Sequence, residues 1–279
     1  RCCDPFGDLE HHPAPVHLGL NENRLDAIEK MRIAEFDAYL ETLVPLMRGE
    51  EAAFSWRGDT SLVKHLMPDH GFVAFEPRIP VYVSAFGPRA LAIAARRGDG
   101  LITSVPPDPA AVAGVRRKLD EAADRPLPRA EFPVATLTTM VVLDEGEAAD
   151  SPRCRTQAGA FAIAGLHYAY EQWTNFGRPP APHLHEIWDD YLSMLERVPA
   201  ERRHQRVHLG HNCWVIPEEE AFVTADLIER TCLVGTAAEL GAKVTALDEA
   251  GLDQLVLLPP LDVKAEVVER VAREVFPLL

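Results

Sequence analysis

Apolar and polar positions along this chain alternate between two textures, short continuous apolar runs and longer stretches with one apolar face. The clearest example is Pro80 to Ser104, PVYVSAFGPRALAIAARRGDGLITS. Val81 to Ala85 is apolar and β-branched enough for a strand covered on both faces, as in a parallel sheet. Pro88 stands where a first helical residue belongs and Gly98 where a helix stops. Between them Leu91, Ile93, Ala94 and Ala95 supply a compact apolar face, and Gly100 to Thr103 resumes a strand. A second unit of this kind runs from Leu233 to Pro260, LVGTAAELGAKVTALDEAGLDQLVLLPP. Thr236 and Glu239 form a capping box, in which each side chain satisfies an orphaned amide at the helix start. Gly251 is the matching stop, Leu255 to Leu258 is a further apolar strand, and Pro259 and Pro260 end it. A last helix is predicted from Val263 to Phe276, with Val263, Val267, Val271 and Val275 on one stripe. Strands alternating with helices of this length predict a parallel α/β fold. In such folds the loops after the carboxyl ends of strands form the ligand face, which singles out the turn Ser84 to Pro88.

The middle of the chain has a different texture. Phe132 to Leu143, FPVATLTTMVVL, reads as one strand. Two long helical stretches follow, Thr156 to Phe176 and Leu184 to Val198, with the break GRPPAP, Gly177 to Pro182, between them. Their aromatic residues, Phe161, Tyr168, Trp173, Trp188 and Tyr191, serve either core and interface packing or the lining of a substrate pocket.

Composition narrows the class. With 47% hydrophobic residues in 279, the chain can bury one substantial core, and no apolar run approaches the roughly 18 residues that span a bilayer. No signal-peptide pattern is visible. The net charge of -15 opposes nucleic acid and anionic membranes as partners, since both need a basic surface. Five cysteines, Cys2, Cys3, Cys154, Cys213 and Cys232, are irregularly spaced. The expectation is free thiols in a reducing cytoplasm, and a bridge between the adjacent Cys2 and Cys3 would be strained.

Histidines carry the most distinctive titratable chemistry. His204, His208 and His211, in HQRVHLGH, have spacings that would put three imidazoles on one helical face, as in a metal site. Gly210, Val207 and Leu209 argue against a helix there, and no Cys, Asp or Glu completes an established zinc motif such as H-E-x-x-H. Surface or interface histidines and pocket histidines are the competing readings, and no metal is expected. His167 and His185 read as helical packing or exposed residues. The absence of G-x-G-x-x-G argues against a Rossmann dinucleotide site.

The order strand, A-x-G-P, short helix, G-D-G and strand in Ala85 to Thr103 resembles the bacterial luciferase-like monooxygenase superfamily of flavin- and deazaflavin-dependent oxidoreductases. The segment L-V-G-T-A-A-E-L to A-G-L-D-Q-L-V-L is similar to that family's last barrel unit. Leu40 to Glu50, LETLVPLMRGE, is similar to its helix ending in Arg-Gly-Glu. The resemblance runs from about Val16 to the C-terminus. The branch it points to is the deazaflavin-dependent, methylene-tetrahydromethanopterin-reductase-like one.

That resemblance implies a TIM (β/α)8 barrel as a single domain over 1–279. Phe132 to Leu143 would be its seventh strand and 151–230 a helical insertion or lid before the last unit. It also implies that the first three strand–helix units are missing, with the irregular segment 1–15 a truncation junction. The implied cofactor is coenzyme F420, a deazaflavin, or FMN, the implied partner a small-molecule substrate, and the implied assembly a homodimer. Both cofactors carry a phosphate, which backbone amides at a helix N-terminus meet with free donors and a favourable dipole. The cofactor-binding candidates are Gly19, Asn21, Ser84, Ala85, Phe86, Gly87, Arg89 and Thr103, with Ser104 on the same rim. Asn21 stands where the family has a second glycine. Turn chemistry alone also accounts for Ser84 to Pro88. In this branch a similar H-x-G-H stretch occurs, so His208, His211 and Trp214 are substrate-pocket candidates, with His208 and His211 the catalytic candidates. Three activities follow: hydride transfer with coenzyme F420, FMN-dependent monooxygenation, and, from another class, a non-catalytic flavin-binding or dimerising protein. A metal-dependent barrel hydrolase using the histidines is a further reading.

Overall fold

A computed structural model of the chain describes residues 32–122 and 126–279, so Gly19, Asn21, Cys2, Cys3 and the segment 1–15 lie outside the described residues. The chain divides into two compact units. In its described part the first holds residues 32–104 and 114–135, and the second holds 105–113 and 136–279.

The first unit opens with α1 (Ile33–Met47), which buries Phe36, Leu40 and Val44 at every fourth position. It ends in the Arg-Gly-Glu turn that the sequence pattern places there, with Gly49 at φ 78° against the Phe75 ring. An antiparallel hairpin follows, β1 (Ala52–Trp56) and β2 (Asp59–Val63), joined by Arg57 and Gly58, both at positive φ. Two consecutive left-handed residues make the turn whose twist matches a two-residue hairpin. Next come β3 (Tyr82–Ser84), α2 (Pro88–Arg97) and β4 (Gly100–Thr103), the strand–helix–strand unit read from the sequence. β3 and β4 run parallel with Ser84 opposite Ile102, and α2 buries Ala90, Leu91, Ile93, Ala94 and Ala95. Burial of Leu91 and of Leu101 contributes roughly 1.5–3 kcal/mol each.

The G-D-G motif turns out to be an anchor for this unit. A Cβ on Gly98 would lie 2.9 Å from the Ala94 carbonyl and from Val83, and one on Gly100 would lie 2.9 Å from the Tyr82 ring. Between them the buried Asp99 carboxylate accepts the Val81 amide at 2.9 Å and pairs with Arg48 and Arg78. The motif therefore ties the start of β3 to the end of α1.

α3 (Pro109–Asp120) leads to a long strand that begins in the first unit and ends in the second. The sequence predicts one element over Phe132 to Leu143; the structure has two, β5 (Val134–Thr138) and β6 (Met140–Val142). The break falls at Thr139, whose carbonyl accepts the Leu233 amide as pairing passes to a new neighbour. In the first unit the Leu101 amide donates to Pro133 at the head of β5; in the second the Leu258 amide donates to Thr138 at its tail.

The second unit is mostly helical between its strands: α4 (Pro152–Phe176), α5 (His185–Glu196), α6 (Arg203–Val207) and α7 (Ala225–Thr231). α4 starts four residues earlier than its apolar pattern predicts, because Ser151 caps it by accepting the Cys154 amide and Pro152 supplies N1. Gly177 at φ 62° ends it. The aromatic side chains mainly pack on one another: Tyr170, Trp173, Trp188, Tyr191 and Phe222 form a chain of ring contacts with centroids 5.4–6.4 Å apart. β7 (Leu233–Gly235) pairs parallel with β6, and Thr236 and Glu239 make the predicted capping box at α8 (Ala237–Glu249). β8 (Gln254–Leu257) and α9 (Lys264–Glu274) complete the unit, with Val267, Val271 and Val275 buried as the stripe predicts. Leu255, Val256 and Leu257 are only half-buried. Parallel strands alternating with helices thus agree with the α/β expectation. Among the described residues the strands fall into the β1–β2 hairpin, a four-stranded sheet of β3, β4, β5 and β8, and the β6–β7 pair, and the first three strand–helix units of the expected barrel lie outside what these residues test.

Candidate functional site

In the first unit the predicted cofactor turn lies at the carboxyl end of β3. Gly87 is the N-cap of α2, in extended geometry and with no side chain to cap the helix, and Pro88 at N1 offers no amide. The first turn of α2 contains no acidic residue. Its leading amides, from Arg89 and Ala90, are of the kind that a helix leaves without an internal partner. The Ser84 hydroxyl oxygen, just before the turn, is buried and has no hydrogen-bond partner among the described residues. Thr103 is one residue further along β4 than the partner of Ser84, so both lie at the same edge, and Thr103 is 1% exposed. Arg89 is exposed on the first turn. An orphaned hydroxyl beside an uncapped helix N-terminus fits an anionic oxygen, and these residues suit a phosphate. Ala85, between Ser84 and the turn, is fully buried.

In the second unit the histidines belong to a buried polar network. α4 carries His167 and Glu171 on one face, one turn apart. His167 is almost fully buried and bridges two groups, its Nε2 lying 3.1 Å from Glu219 Oε1 and its Nδ1 3.0 Å from His211 Nδ1. Glu219 sits on a 3-10 turn, Pro217–Phe222, and is equally buried. Arg206 of α6 lies with Nη1 3.8 Å from Glu219 and pairs with Glu218 at 3.3 Å. His208 Nε2 lies 2.8 Å from Glu171, and its ring is 5.5 Å from that of His211. Burial, reinforced by the charge of His208, pushes the His204 imidazole below its usual range. Burial, reinforced by Glu219, pushes the Tyr191 phenol far above its own.

The local chain explains this placement. α6 ends at Val207, and Gly210 and Asn212 take positive φ, so residues 208 to 213 form turns, as Gly210 and its apolar neighbours indicate. His208 and His211 are thereby brought together, each with its own partner. Among the described residues no group of three or more His, Cys, Asp or Glu has the arrangement of a metal site. Trp214 is 56% exposed, and its backbone closes on Gly210. His185 is exposed on α5, but His167 corrects the reading of it as packing or surface. Glu219 and Glu171 were legible only as members of charged stretches, and nothing in the local sequence marks Glu219 within PEEE as the one that turns inward.

The structure thus combines parallel strands alternating with helices, an uncapped helix N-terminus at a strand's carboxyl end and, in the other unit, a buried imidazole–carboxylate network, an α/β class of protein. A family model described as luciferase-like monooxygenase matches residues 27–254, and the chain belongs to that family. Among solved structures, the coenzyme F420-dependent tetrahydromethanopterin reductase from Methanopyrus kandleri is similar with a TM-score of 0.55 and 20% identity, over 88% of this chain and 63% of that one. An F420-dependent secondary alcohol dehydrogenase in complex with an F420-acetone adduct is similar with a TM-score of 0.51 and 16% identity, over 87% of this chain and 62% of that one. The chain therefore spans less than two thirds of either protein, and at these identities the likeness is one of fold. A comparison with curated proteins gives no significant match. No described helix is long and apolar enough to cross a membrane.

Proposed function

We propose that this protein is an oxidoreductase that transfers hydride between reduced coenzyme F420 and a small organic substrate. The observation that carries the reading is the buried, unpartnered Ser84 hydroxyl beside the uncapped N-terminus of α2. Ser84, the backbone of Ala85 to Gly87 and the amide of Arg89 would hold the coenzyme's phosphate, with Thr103 on the same edge. When bound, the coenzyme supplies the hydride at C5 of its reduced ring. The chain's own contribution is position and charge: the turn orients the phosphate tail, and Arg89 adds a cation at the rim. His208, His211 and Trp214 are the substrate-side residues, and 151–230 is the lid or subunit contact of a homodimer. The family's own description, a monooxygenase, favours a second reading, in which FMN would be the cofactor held at the same turn.

A side-by-side fluorescence titration with coenzyme F420 and FMN, each oxidised and reduced, tests this. The expected result is binding of the deazaflavin in roughly the micromolar range. Ser84→Ala should weaken it about 10-fold or more, as for a hydrogen bond to a charged group. Preference for reduced FMN would establish the monooxygenase, and binding of neither would overturn the cofactor reading.

A further inference from the structure

We propose that a cleft in the first unit, at the amino end of β3, binds a small organic anion, a carboxylate carried on a compact apolar body. The site does not depend on the coenzyme turn, which lies at the carboxyl end of the same strand.

Four guanidinium groups line this cleft: Arg48 just after α1, Arg78 ahead of β3, and Arg96 and Arg97 in the last turn of α2. They come from three separate segments, so the fold and not the local sequence gathers them. Three carboxylates answer them. Asp99 takes Arg48 at 3.3 Å and also Arg78, while Asp37 takes Arg96 at 2.7 Å and Arg97 at 2.8 Å. Arg97 reaches Glu41 as well, at 3.2 Å. Four cations against three anions leave one positive charge in excess, in a chain whose net charge is -15. α1 and α2 both end here, and the negative ends of their dipoles offset part of that excess. The offset is limited, because turn amides already bond the last carbonyls: Arg48 and Gly49 donate to Pro45 and Leu46, and Gly98 donates to Ala94.

Donors are in excess too. One arginine neutralises a carboxylate, yet Asp99 and Asp37 each hold two. A guanidinium carries five N–H groups in a planar fork, and Arg48, Arg78 and Arg96 each spend one nitrogen on a carboxylate. All three side chains are partly exposed, so their remaining donors are open to a solute. Much of the remaining lining is apolar, from Leu40, Val44, Pro45 and Leu127. Leu40 and Val44 belong to the core of the unit, which makes that wall firm. The cleft has a volume of about 240 Å³. At ~30 Å³ per water that is room for roughly eight waters, the bulk of a benzoate-sized molecule. Inorganic phosphate would engage the arginines and leave the apolar wall wet. A carboxylate on a ring or short alkyl body engages both, with its two oxygens matched to the arginine fork.

The test is calorimetric titration of the full chain with benzoate at low salt, beside benzamide as the uncharged isostere and inorganic phosphate as the bare anion. Nitrogen–proton correlation spectra of the arginine Nε groups follow the same titrations. Saturable benzoate binding with a Kd of about 1 mM or tighter is expected, with the Nε signals of Arg48, Arg78, Arg96 and Arg97 shifting together. Benzamide and phosphate should each bind at least about 10-fold more weakly. Arg78→Gln and Arg96→Gln should each weaken benzoate about 5-fold or more. Both variants should fold, because Arg48 still holds Asp99 and Arg97 still holds Asp37. No saturation up to about 10 mM, benzamide binding as tightly as benzoate, or an affinity that both variants leave in place overturns the site. Phosphate binding as tightly as benzoate overturns the apolar body of the ligand. Competition between benzoate and coenzyme F420 or FMN places the anion at the Ser84 turn and overturns a separate cleft.

Discussion

Replacing Glu147 with glutamine should destabilise the second unit in a way that depends on pH. Glu147 sits between the end of β6 and the start of α4. Its carboxylate accepts the Asp144 amide at 2.9 Å and the hydroxyl of Ser151, the cap of α4, at 2.6 Å, and it is clamped by the Arg153 guanidinium. Arg153 in turn donates to the Val142 carbonyl and to Gln157, which reaches Glu266 of α9. Arg153 foremost, then Ser151 and the Asp144 amide, hold the Glu147 carboxyl down at about 2, against an ordinary 4.5. A displacement of that size corresponds to about 3 kcal/mol at most, and partial exposure, 14% for Glu147 and 28% for Arg153, brings the expected effect to roughly 2 kcal/mol. Because the folded-state value is depressed, the contribution is fully present above pH 4.5 and is lost as pH falls toward 2. Urea denaturation of wild type and Glu147→Gln at pH 7, 4.5 and 3 measures it. The gap in unfolding free energy should be largest at pH 7 and should shrink through the acid range. A gap that stays constant with pH, or one below about 0.5 kcal/mol at pH 7, would refute the argument that a charged hub rather than packing joins β6 to α4.

Three further outcomes are expected. Tyr191→Phe should be neutral or stabilising by about 1 kcal/mol in urea denaturation, because its hydroxyl is buried without a hydrogen-bond partner among the described residues; a clear loss would show that the hydroxyl is satisfied. Gly210→Ala should cost roughly 1–3 kcal/mol, since Gly210 has φ 79° and an added Cβ would lie 2.5 Å from the Trp214 carbonyl; a variant as stable as wild type by thermal shift would contradict that. Of the described cysteines, Cys213 should alkylate first in the native protein. Burial pushes the Cys154 thiol up to about 11 and Cys232 to about 12, so peptide mapping should find both unmodified until urea opens the unit.

What the sequence made legible was local. Pro88 and Gly98 bound a helix through their own backbone chemistry, and Thr236 with Glu239 closes a cap within one turn, so these elements stand where their residues say. The β1–β2 hairpin escapes such reading: its turn puts Arg57, not Asn or Asp, at positive φ, and β1 buries only Ala52, which leaves no alternation to see. The break at Thr139 escapes for the opposite reason. Every residue from Val134 to Val142 is buried, so an unbroken apolar run hides a change of pairing partner set by Leu233.

The same distinction separates the two places where function is proposed. The Ser84 to Arg89 turn is contiguous, and its orphaned hydroxyl and uncapped amides follow from a strand, a glycine and a proline in succession. The buried histidine–carboxylate network has no contiguous signature, because His167, His211 and Glu219 meet only when α4 lies in register with two later turns. Each successive residue turns about 100° around a helix. One residue inserted into α4 between its Ser151 cap and His167 would therefore carry that imidazole away from both partners while leaving the turn in the first unit untouched. Coenzyme binding should survive such a change while the contacts of His167 with His211 and Glu219 are lost, as expected of a turn and a histidine network built by different parts of the chain.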